Sequence, residues 1–144
     1  TNMYRIAGPL PGIFTFLGDF LKGFIPIYLL AEQNLVTAYI FSLFILLGHM
    51  FSVFNGFKGG KGVATSFGFV LALDFQIGLA VLVTWGFVFL LKKISGLSAI
   101  ISFLFLPLIT FFISNSQVFF LLSILHSIII LLNHHKNIRE MLES

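Results

Sequence analysis

The chain has 144 residues, of which 58% are hydrophobic and 9% are charged, whereas soluble domains contain about 25% charged residues. Together with a mean hydropathy of +1.08, this composition excludes both a water-exposed globular surface and a disordered polar chain. The net charge of +3 comes from scattered basic residues and cysteine is absent, so neither a nucleic-acid partner nor disulfide or thiolate chemistry is predicted.

In chain order, the apolar stretches predict an all-α, polytopic transmembrane helix bundle of about six spans. A bilayer core requires roughly 20 helical residues for each crossing. The stretches cover residues 9–31, 35–55, 62–73, 76–91, 97–114 and 117–133, with short turns between them. The third stretch is too short to span alone, so we predict a re-entrant-like helix that begins at a loop recessed into the membrane. The whole chain, residues 1–144, is predicted to form one integral-membrane domain.

The basic residues predict which ends of the helices face the cytoplasm, because lysine and arginine are enriched in cytoplasmic loops. If Arg5 is cytoplasmic, alternation through six spans leaves Glu32 and Asp74 outside. The same alternation places these residues inside: Lys58, Lys61, Lys92, Lys93, Lys136 and Arg139. We therefore predict that the chain lies in a cytoplasmic membrane with its polar clusters on the cytoplasmic face.

The densest polar cluster is the segment from Gly56 to Gly62, which contains four glycines and two lysines. Glycines let backbone N–H groups converge on an anion, and the following helix adds its positive N-terminal end. The candidate phosphate-binding residues are Lys58, Gly59, Gly60, Lys61 and Gly62. The spacing does not match a nucleotide P-loop, which has four residues between its glycines and Ser or Thr after the lysine. A cytoplasmic turn with ordinary topogenic lysines is the alternative, although it does not explain the glycines.

Two further segments on the predicted cytoplasmic face pair a cation or histidine with an amide. Asn2 and Arg5 are three residues apart near the start, and His134 and Asn137 have the same spacing near the end. This spacing places two side chains on one helical face. Together with the glycine segment, they predict a convergent polyanion site. No third ligand stands at a recognisable spacing from the paired histidines, so neither a metal nor a cofactor is predicted.

At this point the motifs resemble the bacterial acyl-phosphate-dependent glycerol-3-phosphate acyltransferases, the PlsY family of multi-pass membrane enzymes. The resemblance covers nearly all of the chain, and residues 48–65 carry its most specific motif. The other matching motifs are Thr1-Asn2-x-x-Arg5, Asp19-x-x-Lys22-Gly23 and His134-x-x-Asn137-Ile138. Family members have an additional N-terminal helix, followed by a Gly-Ser-x-Asn-x-Gly-Ala segment, so we expect the chain to be N-terminally incomplete.

The resemblance implies transfer of a fatty acyl group from acyl phosphate to the 1-hydroxyl of glycerol 3-phosphate, giving lysophosphatidic acid and phosphate. Lys61 would stabilise the departing phosphate and the tetrahedral oxyanion. His134, or the substrate's own phosphate, would take the hydroxyl proton while Asn137 orients the glycerol. The resemblance also adds His49 to the substrate-binding residues. Membrane lipids would surround the helices, and the acyl chain would lie among the phenylalanine-rich segments.

Two other classes of function remain open from the sequence. An inactive scaffold of the same family would keep the fold without the activity. A small transporter subunit would explain polar residues within apolar helices, but the two halves show no repeat.

Several polar or aromatic residues within the predicted helices have plainer interpretations. Asp19 and Lys22 form either a structural pair or part of the substrate-side charge. His126 is predicted to be a core histidine with a satisfied hydrogen bond, and Trp85 to be a packing residue.

Overall fold

The computed structural model describes residues 6–52, 56–57 and 59–143, and this part of the chain contains seven α-helices and no strand. The helices are α1 (Pro9–Ala31), α2 (Leu35–Met50), α3 (Val63–Leu73), α4 (Phe75–Lys92), α5 (Ser95–Ile113), α6 (Gln117–Asn133) and α7 (His135–Leu142). The first six coincide with the six predicted apolar stretches, so the all-α membrane-bundle class is confirmed. The seventh is a short polar helix that hydropathy does not mark.

The second predicted stretch, residues 35–55, is too long, because α2 ends at Met50. The backbone N–H of Gly59 donates to the Met50 carbonyl at 2.9 Å, and the Phe57 N–H donates to the Ser52 carbonyl at 2.9 Å. These bonds turn the chain back on the end of α2. Hydropathy missed this turn because residues 51–54 include two phenylalanines and a valine.

Side chains cap the helices that begin at one end of the bundle. Asn34 accepts from the Thr37 N–H at 2.9 Å at the start of α2. Asp74 accepts from the N–H groups of Gln76 and Ile77 at the start of α4. Such caps satisfy backbone donors that a helix leaves unpaired. These polar turns therefore define helix boundaries that the apolar runs alone leave uncertain by a few residues.

Helix α3 lies inside the bundle and packs closely against α1. A methyl group at Gly23 would collide with the Thr65 carbonyl, and one at Gly68 would collide with the backbone of Phe20 and Phe24. These glycines permit a close crossing of the two helices, as small residues do in membrane proteins. The start of α3 consequently meets α1 near the middle of α1, in agreement with a recessed starting loop.

By length and composition, three helices in the described part of the chain are long and apolar enough to cross a membrane: α1, α4 and α5. A fourth span results if α6 and α7, which meet at an angle of 62°, are taken as one bent span. Helices α2 and α3 are apolar but shorter. The predicted count of about six spans is therefore approximate, because α2 and α3 are too short for a full crossing and α6 reaches that length only together with α7.

The buried aromatic core tests the predictions made for His126 and Trp85. His126 is fully buried, and its Nε2 is 2.9 Å from the hydroxyl of Ser66. Its ring lies 4.7 Å from that of Phe69, measured between centroids. Trp85 stacks on Phe89 at 5.0 Å. His126 is therefore a core histidine whose Nε2 has a partner on α3, while its buried Nδ1 has none among the described residues, so the predicted satisfaction is only partial. Trp85 is a packing residue.

Candidate functional site

The glycine loop, residues 59–62, folds against the end of α2 in a way that requires glycine. A methyl group at Gly59 would overlap the His49 carbonyl, and one at Gly60 would overlap the imidazole ring of His49. Gly62 has a φ of 83° and precedes the first residue of α3. L-residues with side chains rarely adopt this left-handed backbone. The glycines therefore bring the backbone of the loop into direct contact with α2.

The N-terminus of α3 begins at this loop. Among the described residues no side chain caps its first N–H groups. An uncapped helix start presents unpaired donors and the positive end of the helix dipole. Thr65, in the first turn, is fully buried. The loop and the helix start together form a positive environment in which an anion is favoured.

Lys61 links the glycine loop to α7. Its ammonium donates to Oδ1 of Asn137, 76 residues further along the chain. A second bond joins the loop to the end of α6, since Nδ2 of Asn133 donates to the Gly60 carbonyl at 3.1 Å. The predicted convergence of the glycine loop with the last motif is therefore present. Asn133 was not among the predicted site residues, although its position directly before His134 marks it as a polar residue at the same helix end.

His134 lies between α6 and α7, and it is buried. Its Nδ1 is 2.8 Å from the Ile130 carbonyl, and because a carbonyl only accepts, the proton sits on Nδ1 and the lone pair on Nε2. Burial lowers the pKa of His134 below its ordinary value, the hydrogen bond to Ile130 opposes this, and the Lys61 ammonium lowers the pKa further. His134 is thus neutral near pH 7 and carries an imidazole lone pair close to Lys61.

A second charged group, formed by Asp19, Lys22 and His49, lies beside Gly59 and Gly60 of the glycine loop. The Lys22 ammonium is 2.6 Å from Oδ1 of Asp19 and 2.5 Å from Nδ1 of His49. Lys22, His49, Gly59 and Gly60 line a cleft of about 470 Å³. The ion pair, one of the two interpretations of Asp19 and Lys22, is therefore present, and Lys22 lines the same cleft as the loop. Sequence reasoning had treated His49 and this pair separately.

Seven of the ten predicted site residues lie in the described part of the chain, four of them in the glycine loop and three on the segments next to it. They are His49, Gly59, Gly60, Lys61, Gly62, His134 and Asn137. Asn2, Arg5 and Lys58 lie outside the described residues. One neighbour was not predicted, since Gly96 of α5 approaches the Asn137 side chain. No sequence signal marks Gly96, because this contact joins elements that are far apart in the chain.

The fold and the site define a multi-pass membrane protein whose polar and cationic residues converge on a glycine loop at one end of an apolar bundle. The profile of the glycerol-3-phosphate acyltransferase family matches residues 1–144. The chain therefore belongs to the glycerol-3-phosphate acyltransferase family.

Curated relatives agree with this assignment. A glycerol-3-phosphate acyltransferase of Fusobacterium nucleatum is 39% identical over 144 residues, which cover 99% of this chain and 74% of the relative. One from Trichlorobacter lovleyi is 36% identical over 145 residues, with the same two coverages. The family resemblance inferred from the motifs is therefore confirmed across the chain.

Two solved structures share the fold. Both are crystal structures of PlsY, described as an integral membrane glycerol 3-phosphate acyltransferase. The lysophosphatidic acid form has a TM-score of 0.92 and 33% identity, covering 99% of this chain and 74% of that chain. The glycerol 3-phosphate form has a TM-score of 0.93 and 33% identity, covering 99% and 72%. The arrangement of α1 to α7 is therefore that of an experimentally determined membrane protein.

Proposed function

We propose that this protein transfers a fatty acyl group from acyl phosphate to the 1-hydroxyl of glycerol 3-phosphate, releasing lysophosphatidic acid and inorganic phosphate. Family membership supports acylation of glycerol 3-phosphate. The observation that carries the proposal is the convergence of Lys61, Asn137 and neutral His134 beside the uncapped start of α3. This group combines a cation, an amide and a proton acceptor around a place suited to phosphate.

The charges of the site fit a reaction between two anionic substrates. Both acyl phosphate and glycerol 3-phosphate are anions, so they repel each other unless cations and N–H groups hold them together. Lys61 and the start of α3 supply these at the loop, and Lys22 lines the cleft that Gly59 and Gly60 border. Holding two reactants in contact in this way contributes a large part of the rate enhancement in bimolecular reactions.

The chemical step requires little activation by the protein, because acyl phosphate is already an activated donor. The 1-hydroxyl oxygen attacks the acyl carbon, the carbon–oxygen bond to phosphate breaks, and phosphate leaves with the bonding electrons. The hydroxyl proton passes to Nε2 of His134 or to a phosphate oxygen of the substrate. Lys61 neutralises the negative charge that develops on the carbonyl oxygen and the leaving phosphate, while Asn137 orients the glycerol.

The donor is tested with the complete gene product that contains these 144 residues, purified in detergent. We expect palmitoyl phosphate and glycerol 3-phosphate to yield phosphate and lysophosphatidic acid in equal amounts. Palmitoyl-coenzyme A should yield neither. Phosphate release in the absence of glycerol 3-phosphate measures background hydrolysis. Equal or faster reaction with the thioester would show that the donor assignment is wrong, and product formation independent of glycerol 3-phosphate would contradict the acceptor.

We also propose that the site faces the cytoplasm of a bacterial inner membrane, with glycerol 3-phosphate and acyl phosphate arriving from that side. The contact between Lys61 and Asn137, and that between Asn137 and Gly96, bring the glycine loop, α7 and the start of α5 to one end. Lys92 and Lys93 lie at the end of α4 and in the turn that leads into α5. This distribution of basic residues is typical of a cytoplasmic face.

Cysteine accessibility tests this orientation directly, since the chain contains no natural cysteine. In intact spheroplasts, a membrane-impermeant maleimide should label Gln33→Cys. Lys92→Cys should be labelled only after the membrane is permeabilised. Both positions are exposed turn or helix-end residues, so their reactivities are comparable once access is equal. Labelling of Lys92→Cys in intact spheroplasts would reverse the proposed orientation.

A further inference from the structure

Gly96, in the first turn of α5, lies at the point where α5 touches α7. A methyl group built on Gly96 would lie 3.0 Å from Nδ2 of Asn137 and 3.3 Å from its Cγ. These separations are shorter than ordinary van der Waals contact between such atoms. A side chain at position 96 would therefore require the Asn137 amide to shift by a few tenths of an ångström.

No backbone requirement explains glycine at this position. The φ angle of Gly96 lies outside the left-handed region, in contrast to that of Gly62. Alanine is favoured over glycine within helices, so a glycine here weakens α5 without conformational benefit. The neighbouring amide is the feature that accounts for the missing side chain.

The chemistry of the contact fixes which end of the Asn137 amide faces Gly96. A lysine ammonium only donates, so the atom that contacts Lys61 is the amide oxygen, and the amide nitrogen faces α5. The torsion that rotates this amide is broad and soft. Steric contact between a side chain at position 96 and the amide nitrogen would therefore rotate the amide and move its oxygen away from Lys61. The packing of the helices would change little.

We propose that Gly96 is a positioning residue, whose lack of a side chain holds the Asn137 amide in the orientation that receives the Lys61 ammonium. The proposal rests on the proposed function, because it assigns to Gly96 a role in the same site. It also identifies α5 as a wall of that site, which none of the sequence motifs includes. Gly96 touches neither substrate; it acts through Asn137.

The test compares Gly96→Ala with Gly86→Ala in the complete gene product. Gly86 lies within α4, and nothing approaches its position within 4 Å. Both changes favour helix, so neither should lower the melting temperature. We expect Gly96→Ala to reduce kcat about tenfold or more, the scale of a displaced catalytic contact, while Gly86→Ala keeps wild-type kcat. Equal kcat values for the two variants would overturn the proposal.

A double-mutant cycle separates positioning from a general structural effect. In an Asn137→Ala background the amide is absent, so adding Gly96→Ala should cause no further loss of residual activity. An additional loss of about tenfold, equal to that in the wild-type background, would show that Gly96 does not act through Asn137.

A measurement that does not depend on enzymatic activity separates the positioning role of Gly96 from the proposed function. Acetic anhydride modifies lysine amines, and mass spectrometry quantifies modification at Lys61. Gly96→Ala and Asn137→Ala should both change the rate at which acetic anhydride modifies Lys61, and in the same direction. Gly86→Ala should leave that rate unchanged. If no variant acylates glycerol 3-phosphate but this pattern holds, the positioning role stands and the proposed function fails. An unchanged Lys61 rate in Gly96→Ala would refute the positioning role.

Discussion

Replacing Lys61 with alanine should reduce kcat for glycerol 3-phosphate acylation at least about a hundredfold, the scale found when one preorganised donor to a developing anion is removed. The Lys61 ammonium is the cation that reaches from the glycine loop to α7, where it contacts Asn137. Alanine removes both the charge and this link. Phosphate release from palmitoyl phosphate, measured against glycerol 3-phosphate concentration, gives kcat and KM separately.

The matched control for Lys61→Ala is Lys92→Ala, which removes an exposed charge at the end of α4. It should leave kcat nearly unchanged, because a solvent-exposed charge away from the reacting atoms is strongly screened. Melting temperatures of the two variants show whether either one unfolds. A Lys61→Ala protein that is folded and retains most of its activity would remove Lys61 from the proposed mechanism.

His134→Asn should lower kcat by about a hundredfold to ten-thousandfold if His134 is the proton acceptor, which is the usual contribution of a positioned general base. The asparagine amide can still donate to the Ile130 carbonyl, as Nδ1 of His134 does at 2.8 Å. The substitution therefore preserves the local hydrogen bond and removes only the second nitrogen. The measurement is kcat for both proteins across a range of pH.

The pH dependence distinguishes His134 from the substrate phosphate as proton acceptor. Burial lowers the pKa of His134 below the ordinary histidine value of about 6.5. If His134 is the base, activity is therefore present at pH values above this lowered pKa. It is lost as the pH falls through the lowered pKa and His134 becomes protonated. That acidic limb should vanish in His134→Asn. If the substrate phosphate accepts the proton, a limb near its second pKa of about 6 persists in the variant. Persistence of the limb together with nearly unchanged kcat would exclude His134 as the base.

The sequence by itself determined the class of the protein and the positions of its apolar helices. So few charged residues cannot cover a soluble domain, and each apolar run of sufficient length forms a helix because lipid leaves backbone groups no other partner. Boundaries agreed where a polar residue caps the helix, as at Asp74. The predicted end of α2 was wrong, because the chain turns at Met50 through a backbone hydrogen bond from Gly59, and the intervening residues are largely apolar.

The sequence also determined which motifs carry the polar chemistry, since a glycine loop with lysines and a paired histidine and asparagine are unusual within an apolar chain. Their convergence was inferred from membrane sidedness. The individual contacts between these motifs could not be inferred in this way, because the Lys61 to Asn137 bond joins residues 76 positions apart. Local spacing carries no information on such pairs.

Tertiary structure alone decided how these groups are supported. It placed α3 inside the bundle through close contacts at Gly23 and Gly68, and it joined His49 with Lys22 beside the loop. It also showed that Gly96 makes room for Asn137. The physical reason is the same in each case. The role of each glycine or polar side chain depends on atoms that helix packing brings into contact with it. Those atoms belong to residues far away in the sequence, so local sequence patterns do not reveal them.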